Sequence, residues 1–157
     1  MKRGNVILDM PLWFFLLILL AITLLMGHKI QSSVNDMVQV SDMSDVAKAS
    51  LQGTTERYAS SGDNIFVMAV VLMSIFVFAA SFLIDTHPLF FGISVFLLIF
   101  VFIVGAILVN FYDAVSDASD VASDFPKMTF IMGHLLEIGI AVGFLTLVGL
   151  FGKAVSG

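Results

Sequence analysis

Glu137 is the residue in this sequence whose position most needs a chemical explanation. It sits about eight residues into an apolar run, roughly 12 Å from the end of that run at ~1.5 Å per helical residue. If the run crosses a bilayer, a carboxylate there costs a few kcal/mol on insertion scales, roughly, and has to pair, take up a proton or line water. His134 lies three residues earlier, on the same face of a helix and about one turn away. One reading is a proton or ion site made by His134 and Glu137. The plainer reading is a protonated Glu137 hydrogen-bonded to His134 or to a neighbouring helix, where it helps assembly. Gly139 and Gly143 form a small-xxx-small pair on the other side of the same helix, roughly 200–240° from Glu137 at about 100° per residue. A helix with a polar stripe (His134, Glu137, Ala141) and a close-packing stripe (Gly139, Gly143) has room for two neighbours, one of which could be another subunit.

A second set of carboxylates, Asp113, Asp117, Asp120 and Asp124, recurs at intervals of four, three and four. Carboxylates are hard oxygen ligands for divalent cations. Ligands strung along one straight helix rarely converge on one ion, however, and no calcium-loop spacing with its glycine is present, so a solvated acidic face accounts for the pattern. His28, His87 and His134 fall on three different segments and give no metal spacing. No metal and no cofactor is expected. There are no cysteines, which excludes thiolate chemistry. Phosphate-binding loops, dinucleotide fingerprints and nucleophile triads are also missing, and the expected chain is not an enzyme. Seven basic residues scattered in a chain of net charge −5 do not make a nucleic-acid grip.

The elements that would position these residues follow from hydrophobicity. Of 157 residues, 59% are apolar and only 12% charged, and the mean hydropathy is +1.06. Soluble domains carry about twice that charge fraction. Four apolar stretches, at 11–27, 65–84, 89–111 and 129–151, each approach the roughly 20 residues needed to cross a bilayer. The expected fold is therefore all-α: one polytopic membrane domain over 1–157, with four transmembrane helices and further helical segments outside the bilayer. Pro11 suits the first turn of the first helix. Asp85-Thr86-His87-Pro88 reads as a tight turn that makes spans two and three a helical hairpin.

Val34, Met37, Val38, Val46, Ala47 and Leu51 recur at roughly helical spacing and predict an amphipathic helix over about 33–52, followed by a loop through Gly53, Ser60, Ser61 and Gly62. The aspartate stripe is matched by Phe111, Val115, Ala118, Ala122 and Phe125 on the opposite face. That pattern predicts that span three leaves the membrane as one helix through an acidic extension, 112–125, until Pro126 stops it. Four spans put both termini on one side. Lys2 and Arg3, next to the first span, favour the cytoplasmic side for them.

The runs 84–91 and 110–113 and the run Phe125-Pro126-Lys127-Met128-Thr129-Phe130-Ile131-Met132 resemble small multi-spanning membrane proteins of phages and archaeal viruses. The layout of the C-terminal half, a helix ending at Asp124-Phe125-Pro126 and then an apolar span, is also similar to the minor cap proteins of filamentous phages. The likeness covers residues 84–151 and transfers no catalytic or binding residue. It implies a structural role as a virion component, embedded in a viral membrane or closing a viral assembly. The implied partners are the lipid bilayer, further copies of the chain, and capsid or other membrane proteins. The alternatives are a small channel, holin or proton-coupled membrane subunit that uses Glu137, or a small subunit of a secretion or conjugation machine. The expected location is a viral membrane or the host cytoplasmic membrane.

Overall fold

The structure, a computed structural model, describes residues 6–83, 88–120 and 122–156, with no strand among them. Five α-helices follow in order: α1 (Val6–Gln39), α2 (Asp45–Leu83), α3 (Pro88–Ser119), α4 (Pro126–Gly133) and α5 (Leu135–Ser156), with a short 3-10 turn, Ala122–Asp124, before α4. The first two helices are roughly 51 and 58 Å long at ~1.5 Å per residue. The all-helical expectation therefore holds.

α1 over Leu12–Gln39 and α2 over Asp45–Ser81 are long and apolar enough to cross a membrane. The pair α4–α5, bent by 63°, makes a third if taken as one broken span. Two or three such helices are compatible with membrane association.

Several expected boundaries move. α1 begins at Val6, five residues before Pro11, and runs without a break to Gln39, so the helix expected over 33–52 is divided between two long helices. The chain reverses at 40–44, where Ser41 bonds Val38 through both backbone and side chain, at 3.1 and 2.7 Å. Gln39 Nε2 then donates to the Lys48 carbonyl at 3.2 Å, tying the two arms together.

The loop expected at Gly53–Gly62 is helix instead. An interior glycine costs about 1 kcal/mol there, but tertiary contact uses the missing side chain. A Cβ on Gly62 would lie 3.0 Å from the Phe125 ring and 3.2 Å from Leu24. Thr54 and Thr55 bond back to the carbonyls of Ser50 and Leu51, so their hydroxyls do not compete with the helix.

α1 and α5 each pack on both α2 and α3. Consecutive helices α2 and α3 are thus not side-by-side partners in the bundle, contrary to the expected hairpin; the turn expected at Asp85–Pro88 lies mostly outside the described residues. The core joins Leu17, Ile18, Ala21 and Leu25 of α1 to Phe66 and Val70 of α2, Tyr112 of α3, Phe125, Met128 and Met132 around α4, and Leu135 of α5.

α3 ends at Ser119, not at Pro126. Asp120 takes a left-handed conformation, φ 56°, which aspartate tolerates better than most residues. The chain then turns inward, and Phe125 becomes fully buried. The inward face near the end of α3 is Tyr112 and Ser116, whereas Phe111 of the expected apolar face is exposed.

Candidate functional site

α4 begins at Phe125-Pro126, a sequence with no side chain of its own to cap the first N–H groups. A helix start leaves such donors unsatisfied. Asp63, on α2 and only 4% exposed, supplies the acceptors from across the bundle. Its Oδ1 accepts from Met128 N at 2.7 Å and its Oδ2 from Lys127 N at 3.2 Å. Lys127 Nζ donates to Asn64 Oδ1 at 2.5 Å, next door on α2. A carboxylate at this position also faces the positive end of the helix dipole.

The 3-10 turn is fixed just as remotely. His28 of α1, 2% exposed, donates from Nε2 to Asp124 Oδ2 at 2.8 Å. Its ring stacks on Tyr58 at 5.9 Å and meets Phe125 edge-on at 5.2 Å. The Tyr58 hydroxyl in turn lies over the bare backbone of Gly27. Between these groups is a polar pocket of about 490 Å3, lined by His28, Ser32, Thr55, Glu56, Ser60, Asp63, Asp124 and Lys127 among others. Tyr112 is buried on the other side of the cluster, beside Ser116 and Thr129. Burial pushes its phenol above the usual 10.0, aided by the charges of Asp113 and Asp63 and opposed by those two hydroxyls. Chemically the cluster is a lock: three carboxylate–donor contacts bind α1, α2, the 3-10 turn and the start of α4 to one another.

His134 and Glu137 fall elsewhere. The helix expected to be continuous over 129–151 breaks at His134 (φ −115°, ψ 17°), and the 63° bend lies between His134's two neighbouring helices. The His134 backbone N–H reaches the Phe130 and Ile131 carbonyls at 3.2 and 3.1 Å, its carbonyl accepts from Ile138 N at 2.9 Å, and its ring donates from Nδ1 to the Phe130 carbonyl at 2.8 Å. Among the described residues no hydrogen bond or ion pair joins His134 to Glu137. Their three-residue spacing is that of a helix cap and its third residue, and Glu137 stands in the first turn of α5, where the helix dipole favours an acid. It is exposed on the outside of the bundle.

Depth follows from packing. Gly139 lies directly under the Phe14 ring. Phe14 is ten residues along α1 from Leu24, which touches Gly62 at the level of the lock, so Gly139 lies roughly 15 Å below it. Gly143 is buried as well. The close-packing stripe is therefore turned into the bundle.

The aspartate stripe divides. Asp113 and Asp117 are exposed on α3, Asp120 sits at the left-handed turn, and Asp124 reaches His28. No group of His, Asp and Glu able to hold a metal ion is found among the described residues.

Sequence reasoning placed His28 at a membrane boundary and passed over Asp63. The one available signal was the uncapped Phe125-Pro126 start, which requires an acceptor from elsewhere. No protein family, curated protein or solved structure matches this chain.

Proposed function

We propose that this chain is a structural membrane protein that crosses the bilayer four times, assembles laterally and holds a rigid helical head outside the membrane. The carrying observation is the position of the lock relative to the exposed apolar side chains. Most of these form a belt from Leu12 to Met26 on α1, Ile65 to Phe78 on α2, Phe96 to Phe111 on α3 and Phe130 to Val148 on α4 and α5. On each helix the belt lies to one side of the lock: before His28, after Asp63, before Asp113 and after Lys127. Apolar surface turned outward at this density is what hydrocarbon covers. The lock is a polar collar where hydrocarbon gives way to water, and the α1–α2 arms beyond it form the head. α3, with its apolar stretch at 89–111, is the fourth crossing.

The interior supports a structural role over a conducting one. The cavity within the belt is lined by Trp13, Phe14, Leu17, Val70, Met73, Val77 and other apolar groups, with Ser74 as its one hydroxyl. Glu137 faces away from it. The partners in this reading are lipid, further copies and a protein layer docking on the head, and the layout resemblance points to a viral membrane as the setting.

The chain has no cysteine, so single cysteines at Ser60, Ser119 and Ser156 test the topology by labelling with a membrane-impermeant thiol reagent. Ser60 and Ser119 are expected to react from one side and Ser156 from the other. Labelling of Ser119 and Ser156 from the same side would overturn the four-span arrangement.

A further inference from the structure

On α3 and α4–α5 the large exposed apolar side chains keep to the belt side of the lock, and on α2 Val46 alone lies beyond it, whereas on α1 they continue past it as a series. Within the belt, Leu12, Leu16, Leu19, Thr23 and Met26 are all exposed and follow one another at intervals of four, three, four and three. Beyond His28 the same alternation continues through Ile30, Ser33 and Met37 and reaches Val40 at the start of the turn, again all exposed. Met37 is 72% and Val40 88% exposed, in the part of the chain that the membrane reading above puts outside the bilayer. None of the nine stripe positions between 12 and 40 is charged. Thr23 fits an apolar surface because its hydroxyl is already bonded to the Leu19 carbonyl at 2.7 Å.

Alternating four-three spacing sustained over four heptads is the pattern of a helix that meets a like helix along a supercoiled seam. Within the head, Asn35 and Gln39 are half-buried, and Gln39 bonds both Asn35 and the Lys48 carbonyl of the other arm, while Ile30, Val34 and Met37 face outward.

We propose that this stripe is a self-association seam, along which α1 of one copy packs against α1 of a second in a parallel, two-fold contact running from the bilayer into the head. The direction rests on the membrane reading given above: two copies inserted the same way present their α1 helices parallel. The seam is roughly 43 Å long at ~1.5 Å per residue. With Phe15 and Val34 flanking it, the buried area is on the order of several hundred Å2 per copy, approaching the ~800 Å2 per partner of a stable interface. The two-fold relation brings each seam residue opposite its own copy.

The test is oxidative crosslinking of single-cysteine variants of the full chain in membranes. Ile30→Cys, Ser33→Cys, Met37→Cys and Val40→Cys are expected to give a dimer at twice the 17.0 kDa monomer mass, because facing seam positions meet disulfide geometry. Ser50→Cys, on the outer side of the other arm, is expected not to. Because Ile30 and Met37 are exposed in the monomer, the double variant Ile30→Lys/Met37→Lys is expected to fold as the parent does while its dimer fraction falls by about tenfold or more. Crosslinking at Ser50 equal to that at Met37 would overturn the seam. So would protection of Met37→Cys from an aqueous thiol reagent without dimer formation, which would assign the stripe to lipid or to a different protein. The four-three periodicity of crosslinks decides the seam whatever side Ser60, Ser119 and Ser156 label from, so the seam and the topology fail separately.

Discussion

Two polar places among the described residues of the bundle are built on opposite plans. In the lock, His28, Asp63 and Asp124 bond across 64 to 96 residues of sequence, and two of the three are almost wholly buried. At the helix break, His134 bonds to Phe130 four residues away, and Glu137 stands exposed with only the start of its own helix to favour its charge. A buried polar group whose partner is removed bears the full cost of desolvation, whereas a side chain with no remote partner has no such bond to lose. The lock therefore holds the fold together, and the break is a local accommodation. The residue that looked most functional in the sequence belongs to the second kind.

That contrast can be broken at several points. Asp63→Ala strips acceptors from two N–H groups at the start of α4, and is expected to cost about 2–4 kcal/mol by adding a lost cap to two unsatisfied donors. Thermal unfolding of the purified protein and hydrogen exchange at Lys127 and Met128 would read it, and a change of less than about 0.5 kcal/mol, within the ordinary range of surface substitutions, would place the lock on a par with the break. His28→Ala removes the remote tie to the 3-10 turn and leaves space beside Tyr58 and Phe125, with an expected loss of about 1–2 kcal/mol. Asp124→Asn should cost less than that, because its carboxylate is half in solvent.

Tyr112 makes the lock sensitive to alkali. A phenol whose folded pKa lies above its unfolded value contributes stability that is fully present below the unfolded pKa and lost as pH rises through the folded one. Stability is therefore expected to decline above about pH 10, and Tyr112→Phe to flatten that decline in a pH series of unfolding curves.

Glu137→Gln is the smallest expected change to the fold, because it keeps the shape of the side chain and, among the described residues, breaks no hydrogen bond or ion pair. It also sharpens the functional contrast. Liposomes carrying the parent chain are expected to leak protons no faster than empty ones. Robust flux that Glu137→Gln abolishes would make the break, not the lock, the working part of the protein.

The sequence by itself determined the helical class and the apolar runs. These follow from composition and periodicity, which act within each helix whatever lies beside it: the 3.6-residue repeat and twenty-odd consecutive apolar residues are local properties. The alternating stripe on α1 was also readable from the residues alone, although its significance depends on knowing that this face stays uncovered. Helix ends were less legible. Gly62 carries a loop signal that packing against Leu24 and Phe125 overrides, and the aspartate periodicity of α3 continues into a segment that Asp120 has already turned away from the helix. Only the tertiary structure decided that Asp63 caps α4, that His28 holds Asp124, and that Gly139 receives Phe14. Each of these joins groups far apart in the chain, and a hydrogen bond or a close contact has no signature in spacing until the fold has brought its two halves together.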